Sequence, residues 1–482
     1  MKKTLPCLAA VALLASCNLA PEYSRPSAPV PAAFKEDAGS TPEAGVHWEE
    51  ARPHDDAVRT KWWRPYGDPV LDGLEEQVLV SNQTLQADEA AYREARALVV
   101  EARSALFPTV STTPSVTASR PSQTIGGSGS GGGTSSGGSG KLYSLPVAAS
   151  YEPDLWGQIH NTVAVNTANA QASAGDLANA RLSLQSQLAQ DYFQVRALDE
   201  ERMILDATAA TYRQEMDLTL KLVVDGVDSY ADLAQIRSQL DTATAQATDL
   251  GTARAQFEHA IAVLAGKAPA DFSLAVVAFI AVPPPVPVAL PSQLLERRPD
   301  IAAAERRVAA ANAQIGVARA AYFPSLTLTA TGGFESSRVS RLLSGPSLFW
   351  SLGSQLSETI LDFGYRQGEN EQARAAYDEA VATYRQTVLG GFQAVEDNLA
   401  ALHILTMELA QRKAAVDSSR QYLTLARARF QAGIDSYLNV STAQTANLTN
   451  EENAVLTQLE LMQASVALVM ATGGGWEATD LP

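Results

Sequence analysis

The residue types that could do chemistry in this 482-residue chain are few and badly spaced for it. Its five histidines, His47, His54, His160, His259 and His403, are scattered without the intervals that bring imidazoles to one metal, apart from a weak N-terminal pair. Gly127-x-Gly129-x-x-Gly132 has the glycine spacing of a dinucleotide fingerprint, but it lies in a Gly/Ser tract and opens no helix. Gly140-Lys141 lacks the first glycine and the Ser/Thr of a phosphate loop, because Ser135 and Leu142 stand there. No nucleophile and base can be paired, so no catalytic residue, metal site or cofactor is expected. The best candidates are carboxylates at turns. Gly226-Val227-Asp228-Ser229-Tyr230 and Gly433-Ile434-Asp435-Ser436-Tyr437 each offer a glycine for a left-handed helix end, followed by an acid that can cap the next helix.

One cysteine has a chemical context. Lys2 and Lys3 precede an apolar run from Leu5 to Ala15, signal-peptide length and shorter than a membrane span. The run ends in Leu14-Ala15-Ser16-Cys17, which resembles a bacterial lipobox with Cys17 as the lipidated first mature residue. By resemblance to known sorting rules, Asn18 in place of Asp directs such a protein to the outer membrane. Cys7 falls in the leader, so the mature chain carries one cysteine and no internal disulfide.

Behind these residues stand the elements that must position them. With 36 basic and 53 acidic side chains the formal charge is −17, which excludes nucleic-acid binding as the main role. The 46% hydrophobic content, rich in alanine, predicts long, closely packed helices. The same order of features occurs twice. Leu106-Phe107-Pro108-Thr109 recurs as Tyr322-Phe323-Pro324-Ser325, Asp154-Leu155-Trp156-Gly157 approximately as Leu361-Asp362-Phe363-Gly364, and Asp191-Tyr192-Phe193-Gln194 as Gly390-Gly391-Phe392-Gln393. The two glycine turns complete the series.

Each repeat predicts short helices, a β-hairpin and two long helices. The leader is 1–16 and an acylated extended segment 17–61. Repeat 1 covers 62–283, with a hairpin at about 107–152 and helices at about 158–224 and 230–265. Repeat 2 covers 284–472, with a hairpin at about 323–360 and helices at about 366–432 and 437–471. Residues 473–482 form a tail. The longer helices are proline-free and would each rise on the order of 100 Å. Leu233, Ile236, Leu240, Ala243, Ala247, Leu250, Phe257, Ile261 and Leu264 form a heptad seam, and Leu448, Val455, Leu459, Met462, Val466 and Val469 keep the same stride. Ala164, Ala168 and Ala172 mark a small-residue stripe.

The hairpins alternate. Tyr143, Leu145, Val147, Ala149 and Tyr151 share one parity, as do Leu326, Leu328, Ala330 and Phe334, and Leu348, Trp350, Leu352 and Leu356, with Ser351, Gly353, Gln355 and Ser357 opposite. Segments of about ten residues with one apolar and one polar face fit outer-membrane strands, although a water-exposed β-domain can show the same pattern. Four strands cannot close a barrel, and an open edge cannot face lipid, so the membrane reading requires several chains to pool their strands.

At this point the chain resembles the TolC-like outer-membrane factors, and within them the NodT-type efflux lipoproteins. The residues that carry the resemblance are Pro21-Glu22-Tyr23-Ser24-Arg25-Pro26 after Cys17, Trp62-Trp63-Arg64-Pro65-Tyr66-Gly67-Asp68-Pro69 with Leu71-Asp72, Leu294-Leu295-Glu296-Arg297-Arg298-Pro299-Asp300-Ile301, and Gly473-Gly474-Gly475-Trp476. The resemblance implies an α+β fold: a homotrimer whose chains each give four strands to a 12-stranded outer-membrane barrel, above a long periplasmic α-helical barrel. It implies a passive exit duct for drugs or other small molecules, partnered by a periplasmic adaptor and an inner-membrane pump of the resistance-nodulation-division type. Asp435 and Asn439 would narrow the closed periplasmic end, three copies of Asp435 raising each other's pKa, with Arg429 tethering a neighbour. Gly226, Val227, Asp228, Ser229, Tyr230, Gly433, Ile434, Ser436 and Tyr437 would meet the adaptor. A duct for secreted polypeptides remains open within the fold, and a non-channel coiled-coil surface lipoprotein outside it. Arg297, Arg298 and Asp300 read more simply as a helix start than as a basic site, and Trp62, Trp63 and Trp476 as packing or interfacial anchors. The Gly/Ser tract 122–140 is longer and blander than the family leads one to expect.

Overall fold

A computed structural model describes residues 18–36, 61–120, 140–227, 229–279, 282–284 and 297–476. The leader, Cys17, Asp228, Leu294 to Glu296, His47, His54 and nearly all of the Gly/Ser tract lie outside the described residues. Seven helices are described: α1 Pro69–Ser81, α2 Gln83–Ser104, α3 Gln158–Val224, α4 Tyr230–Leu264, α5 Pro299–Ala320, α6 Tyr365–Gln431 and α7 Tyr437–Ala471. Helices α3 and α6 have 67 residues each, α4 and α7 35 each, so the duplication is equal in length to the residue.

The strands are β1 Thr109–Thr112, β2 Ser115–Ser119, β3 Gly140–Tyr151, β4 Ser325–Ser336 and β5 Leu348–Ser357. β1 and β2 are one expected strand, interrupted at Thr113-Pro114. Thr112 faces Val147 and, three residues on, Ser115 faces Ser144, three residues back, so the register passes unchanged through the break. Pro114 has no N–H to give the ladder, and Pro146 on β3 faces the same gap. All pairings are antiparallel, in the order β1/β2, β3, β4, β5.

The register puts every alternating apolar residue named above on one face. Val110 opposes Ala149 and Val116 opposes Tyr143, Leu145 opposes Phe334, and Leu348, Trp350, Leu352 and Leu356 oppose Phe334, Gly332, Ala330 and Leu326. Among the described residues nothing covers this face: Trp350 is 74% exposed and Leu352 75%. The other face carries Ser111, Thr117, Ser150, Thr327, Thr329, Thr331, Ser351 and Gln355.

Compactness cuts across the repeats. One unit gathers the described residues of 1–26, 93–170 and 305–382, and the other those of 27–92, 171–304 and 383–482. The physical reason is that both repeats give a hairpin to one sheet, and both give helices to one core.

In the first unit the N-terminal arm lies along helices. Asn161 Nδ2 donates to Asn18 Oδ1 at 2.9 Å, Asn312 Nδ2 to the Pro21 carbonyl at 2.8 Å, and the Tyr23 hydroxyl to Glu305. A small cluster of Ile315, Ala318 and Ala373 packs with Tyr377. Ala168 and Ala172 are buried, whereas Ala164 is exposed and stands outside the packed stripe.

The second unit holds the main core, in which Trp62, Trp63 and Leu71 meet Tyr192, Ile261 and Met462. Asp68 caps α1 by accepting from the Val70 and Leu71 amides, Pro69 occupies the first turn, and the Tyr192 hydroxyl donates to the other Asp68 oxygen at 2.5 Å. No seam residue of α4 or α7 is exposed. The most apolar stretch of α7 reaches a mean hydropathy of 1.5, but 56% of it is buried, so this is a core helix by packing. Between α3 and α4 an ionic cluster clamps the extended chain at 272–279: Arg254 pairs with Asp199 at 2.6 Å and donates to the Leu274 carbonyl, and Arg196 donates to the Ala275 carbonyl.

Two of the family-like motifs meet. α7 ends in a Schellman turn, the Gly473 amide donating to the Met470 carbonyl and the Gly474 amide to that of Val469. Arg298 donates to the Ala471 carbonyl at 2.9 Å while its fork grips Asp300, which accepts from the Ile301 amide at the start of α5. The helix-start reading of Arg298 and Asp300 therefore holds, with an added tie to the end of α7. Gly473 has φ +92, and a Cβ there would sit 1.8 Å from the Arg297 carbonyl oxygen. Gly473→Ala is expected to lower the apparent unfolding temperature, the left-handed backbone alone costing about 1–2 kcal/mol. Gly73→Ala, in mid-helix with nothing within 4 Å of the new methyl, should leave it unchanged or raise it. Thermal unfolding of the detergent-solubilised protein checks both.

Candidate functional site

The two glycine turns share one backbone. Gly226 and Gly433 have φ +74 and +72, their amides donate to Val223 and Phe430, and the amides of Val227 and Ile434 donate to Leu222 and Arg429. Each joins a 67-residue helix to a 35-residue one.

Their side chains differ. In the first turn Ser229 caps α4, accepting from the Asp232 amide at 3.2 Å and donating to the Asp232 carboxylate at 2.7 Å. In the second, Ser436 makes no side-chain cap. Asp435 accepts from Asn439 Nδ2 at 2.6 Å and from Arg429 Nε at 3.0 Å. These two donors, Asn439 foremost and then Arg429, hold the Asp435 carboxyl below the usual carboxylate range. The predicted gate residues are thus brought together within one chain, Arg429 and Asn439 both donating to Asp435.

Exposure divides the predicted contact residues. Val227, Tyr230 and Ile434 are 74%, 78% and 69% exposed, and Gly226, Ser229, Gly433 and Ser436 are also exposed. Tyr437 is 1% exposed and drops out as a surface contact. Its ring lies 5.6 Å from that of Phe430 and packs with Ile236 and Val440, because the first residue of α7 points into the corner. Its hydroxyl lies 3.1 Å from both Glu215 Oε2 and Gln239 Oε1, and burial, then the Glu215 charge, pushes its pKa up.

That corner contains residues missed in the sequence. Arg427 donates to Glu215 at 3.0 Å and to Gln444 at 2.6 Å, and Gln235 donates to Ser441 at 3.0 Å. With Tyr437 they tie α3, α4, α6 and α7 together beneath the turns. Burial raises the neighbouring Tyr212 to about 12. Glu215 and Arg427 lie on helices from different repeats, so no sequence interval could have paired them. Exposed Val224 and Leu438 extend the apolar tips and were also missed.

Among the described residues no group of three or more His, Cys, Asp or Glu could hold a metal ion.

The outer membrane efflux protein family matches residues 74–267 and 290–474, one stretch in each repeat. The chain is 31% identical over 480 residues to the probable efflux pump outer membrane protein TtgC of Pseudomonas putida, covering 99% of this chain and 96% of that one. It is 30% identical over 477 residues to the pyoverdine export outer membrane protein OpmQ of Pseudomonas aeruginosa, covering 99% and 98%. The solved outer-membrane channel OprN superposes with a TM-score of 0.86 at 28% identity, over 95% of this chain and all of that one. With an uncovered apolar sheet face, duplicated 67- and 35-residue helices and an end-to-end match to such channels, the chain belongs to the outer membrane efflux protein family and is an outer-membrane efflux channel.

Proposed function

We propose that the chain works as a homotrimer, acylated at Cys17, that forms the passive exit duct of a tripartite pump and receives small molecules from an inner-membrane transporter through a periplasmic adaptor. The observation that carries this reading is the sheet: one face apolar and uncovered, the other rich in hydroxyls, and both edges without a partner among the described residues. In lipid an unpaired edge leaves backbone groups unsatisfied at a cost of several kcal/mol each, so copies must pair edge to edge. The apolar face then meets lipid and the hydroxyl face lines water. A lumen of this kind holds no reacting groups and supplies no energy, which belongs to the pump. Pyoverdine export by a relative supports small-molecule cargo.

At the second glycine turn, Asp435, Asn439 and Arg429 form a latch that keeps that turn in its closed position. The adaptor contacts are the exposed apolar residues Val227, Tyr230 and Ile434, with Val224 and Leu438 beside them. Asp228 lies outside the described residues and is proposed as a contact from its sequence position alone, and Tyr437 supports the second turn from within.

Three outcomes follow. Asp435→Ala is expected to raise closed-state current in planar bilayers several-fold and weaken cation preference; unchanged leak would put the gate elsewhere. Because the folded-state pKa of Asp435 is depressed, its contacts persist above the ordinary carboxylate value and are lost as pH falls through the lower folded value. Leak should therefore be flat from about pH 8 to about 5 and rise only below about 4. Finally, Val227→Asp together with Ile434→Asp should sensitise a deletion strain to a compound panel nearly as much as the empty vector does, with assembly intact on native gels. Full complementation by that double variant would exclude these tips as the adaptor contact.

A further inference from the structure

The internal duplication leaves one contact made and its twin unmade. Where repeat 1 passes from sheet to long helix, the Trp156 ring stacks on Phe323 of repeat 2, with centroids 4.7 Å apart and planes 24° from parallel. The Trp156 indole N–H donates to the Pro324 carbonyl at 2.8 Å. Strand β3, which enters that junction, pairs with β4, which leaves the Phe323-Pro324 turn. So the end of one repeat's hairpin is covered by the beginning of the next repeat's.

Trp156-Gly157 corresponds to Phe363-Gly364, and Phe323-Pro324 to Phe107-Pro108. Among the described residues no third repeat follows repeat 2, and both members of the second pair stand open: Phe363 is 93% exposed and Phe107 68%. Strands β5 and β1, which would flank such a contact, have unpaired edges on the sides that would bring them together. Phe363 is also the one non-glycine residue with positive φ, +52, among the described residues. An aromatic side chain in that region is strained and persists when its surroundings fix it. Asp362 does so from below, accepting from the Gly364 and Arg366 amides at 3.2 and 3.3 Å and from Arg366 Nε at 2.5 Å. The backbone is bent to present this ring outward, although burying it would stabilise an isolated chain.

We propose that Phe363 of one copy stacks on Phe107 of the next, repeating between chains the Trp156–Phe323 contact made within a chain. The occupant is a second copy rather than lipid, because the corresponding ring in repeat 1 is covered by the strand-entry turn of the following repeat, and within one chain the turn that would cover Phe363 stands at the opposite edge of the sheet. Lacking the indole N–H, this contact is stacking alone. It closes the ring at the sheet-to-helix junction, below the paired edges. The proposal rests on the trimeric assembly above.

The test uses full-length, membrane-embedded protein carrying Phe107→Cys, Phe363→Cys or both, oxidised with copper-phenanthroline. The double variant should give a ladder to trimer on non-reducing gels. Co-expressed single variants should give dimers, and each single variant alone, like the unsubstituted protein, none. In parallel, Phe363→Ala should lower the temperature at which trimers dissociate in dodecyl sulfate, and Phe363→Trp should preserve it. An intrachain disulfide, or no crosslink in protein that is trimeric by native mass, overturns the contact while leaving the assembly standing. Unsubstituted protein that is monomeric by native mass overturns both.

Discussion

An unpaired strand edge in hydrocarbon is the constraint from which the rest follows. Water would solvate the free N–H and C=O groups of β1/β2 and β5; lipid cannot, and no side-chain choice repairs a missing backbone partner. The apolar face makes the conflict sharper. Trp350 and Leu352 stay exposed because nothing among the described residues lies over them, and a soluble sheet would expose such a face only as a binding surface. The proposed assembly resolves both problems at once, since other copies continue the sheet and lipid covers its apolar face.

The duplication explains how a chain can leave its sheet incomplete and still pack its long helices well. In the helical unit both repeats supply seams, so Ile236 and Leu240 from one, and Val440 and Ala443 from the other, find apolar neighbours without a second copy. Helix length adds no requirement for a broad core, because a seam buries the same stripe per turn however far it runs. Sheet and helices therefore pose different closure problems. A repeat satisfies its long helices with its sister repeat, and under the proposed assembly its outer strand is paired by another copy. Each compact unit accordingly draws on both repeats, the first gathering both hairpins with the helix segments that adjoin them.

Much of this was legible because period and punctuation are local. The proline-free runs, the glycine turns and the seam of α4 are visible as spacing, and the hairpin faces as parity. The Asp68-Pro69 helix start and the Gly473 helix end are equally local, one a capping side chain and the other a left-handed residue. What was not legible is contact at long range. That Arg298 holds the end of α7, or that Glu215 and Arg427 meet below the turns, depends on which helices become neighbours, and no interval in the chain encodes it. The break at Pro114 was visible as a residue but not as two strands, since only the pairing with β3 shows the register carried through.

Tyr437 exposes a subtler limit, and it concerns what a repeat conserves. Gly226 to Tyr230 and Gly433 to Tyr437 have the same turn, hydrogen-bonded alike, yet Tyr230 is 78% exposed and Tyr437 1%. A repeat preserves backbone, because glycine conformation and helix geometry are fixed by the few residues of the turn itself. It does not preserve environment, which is set by the helices that flank each copy. The first turn keeps its polar bonds close, between Ser229 and Asp232, and presents an apolar surface. The second sinks its tyrosine into the Glu215, Arg427 and Gln239 network and spends its acid on Arg429 and Asn439. Tyr437 is fixed at the base of that turn, and the helix that carries Asn439 begins at the buried ring. Duplication has thus produced two turns that share a backbone and differ in what they hold.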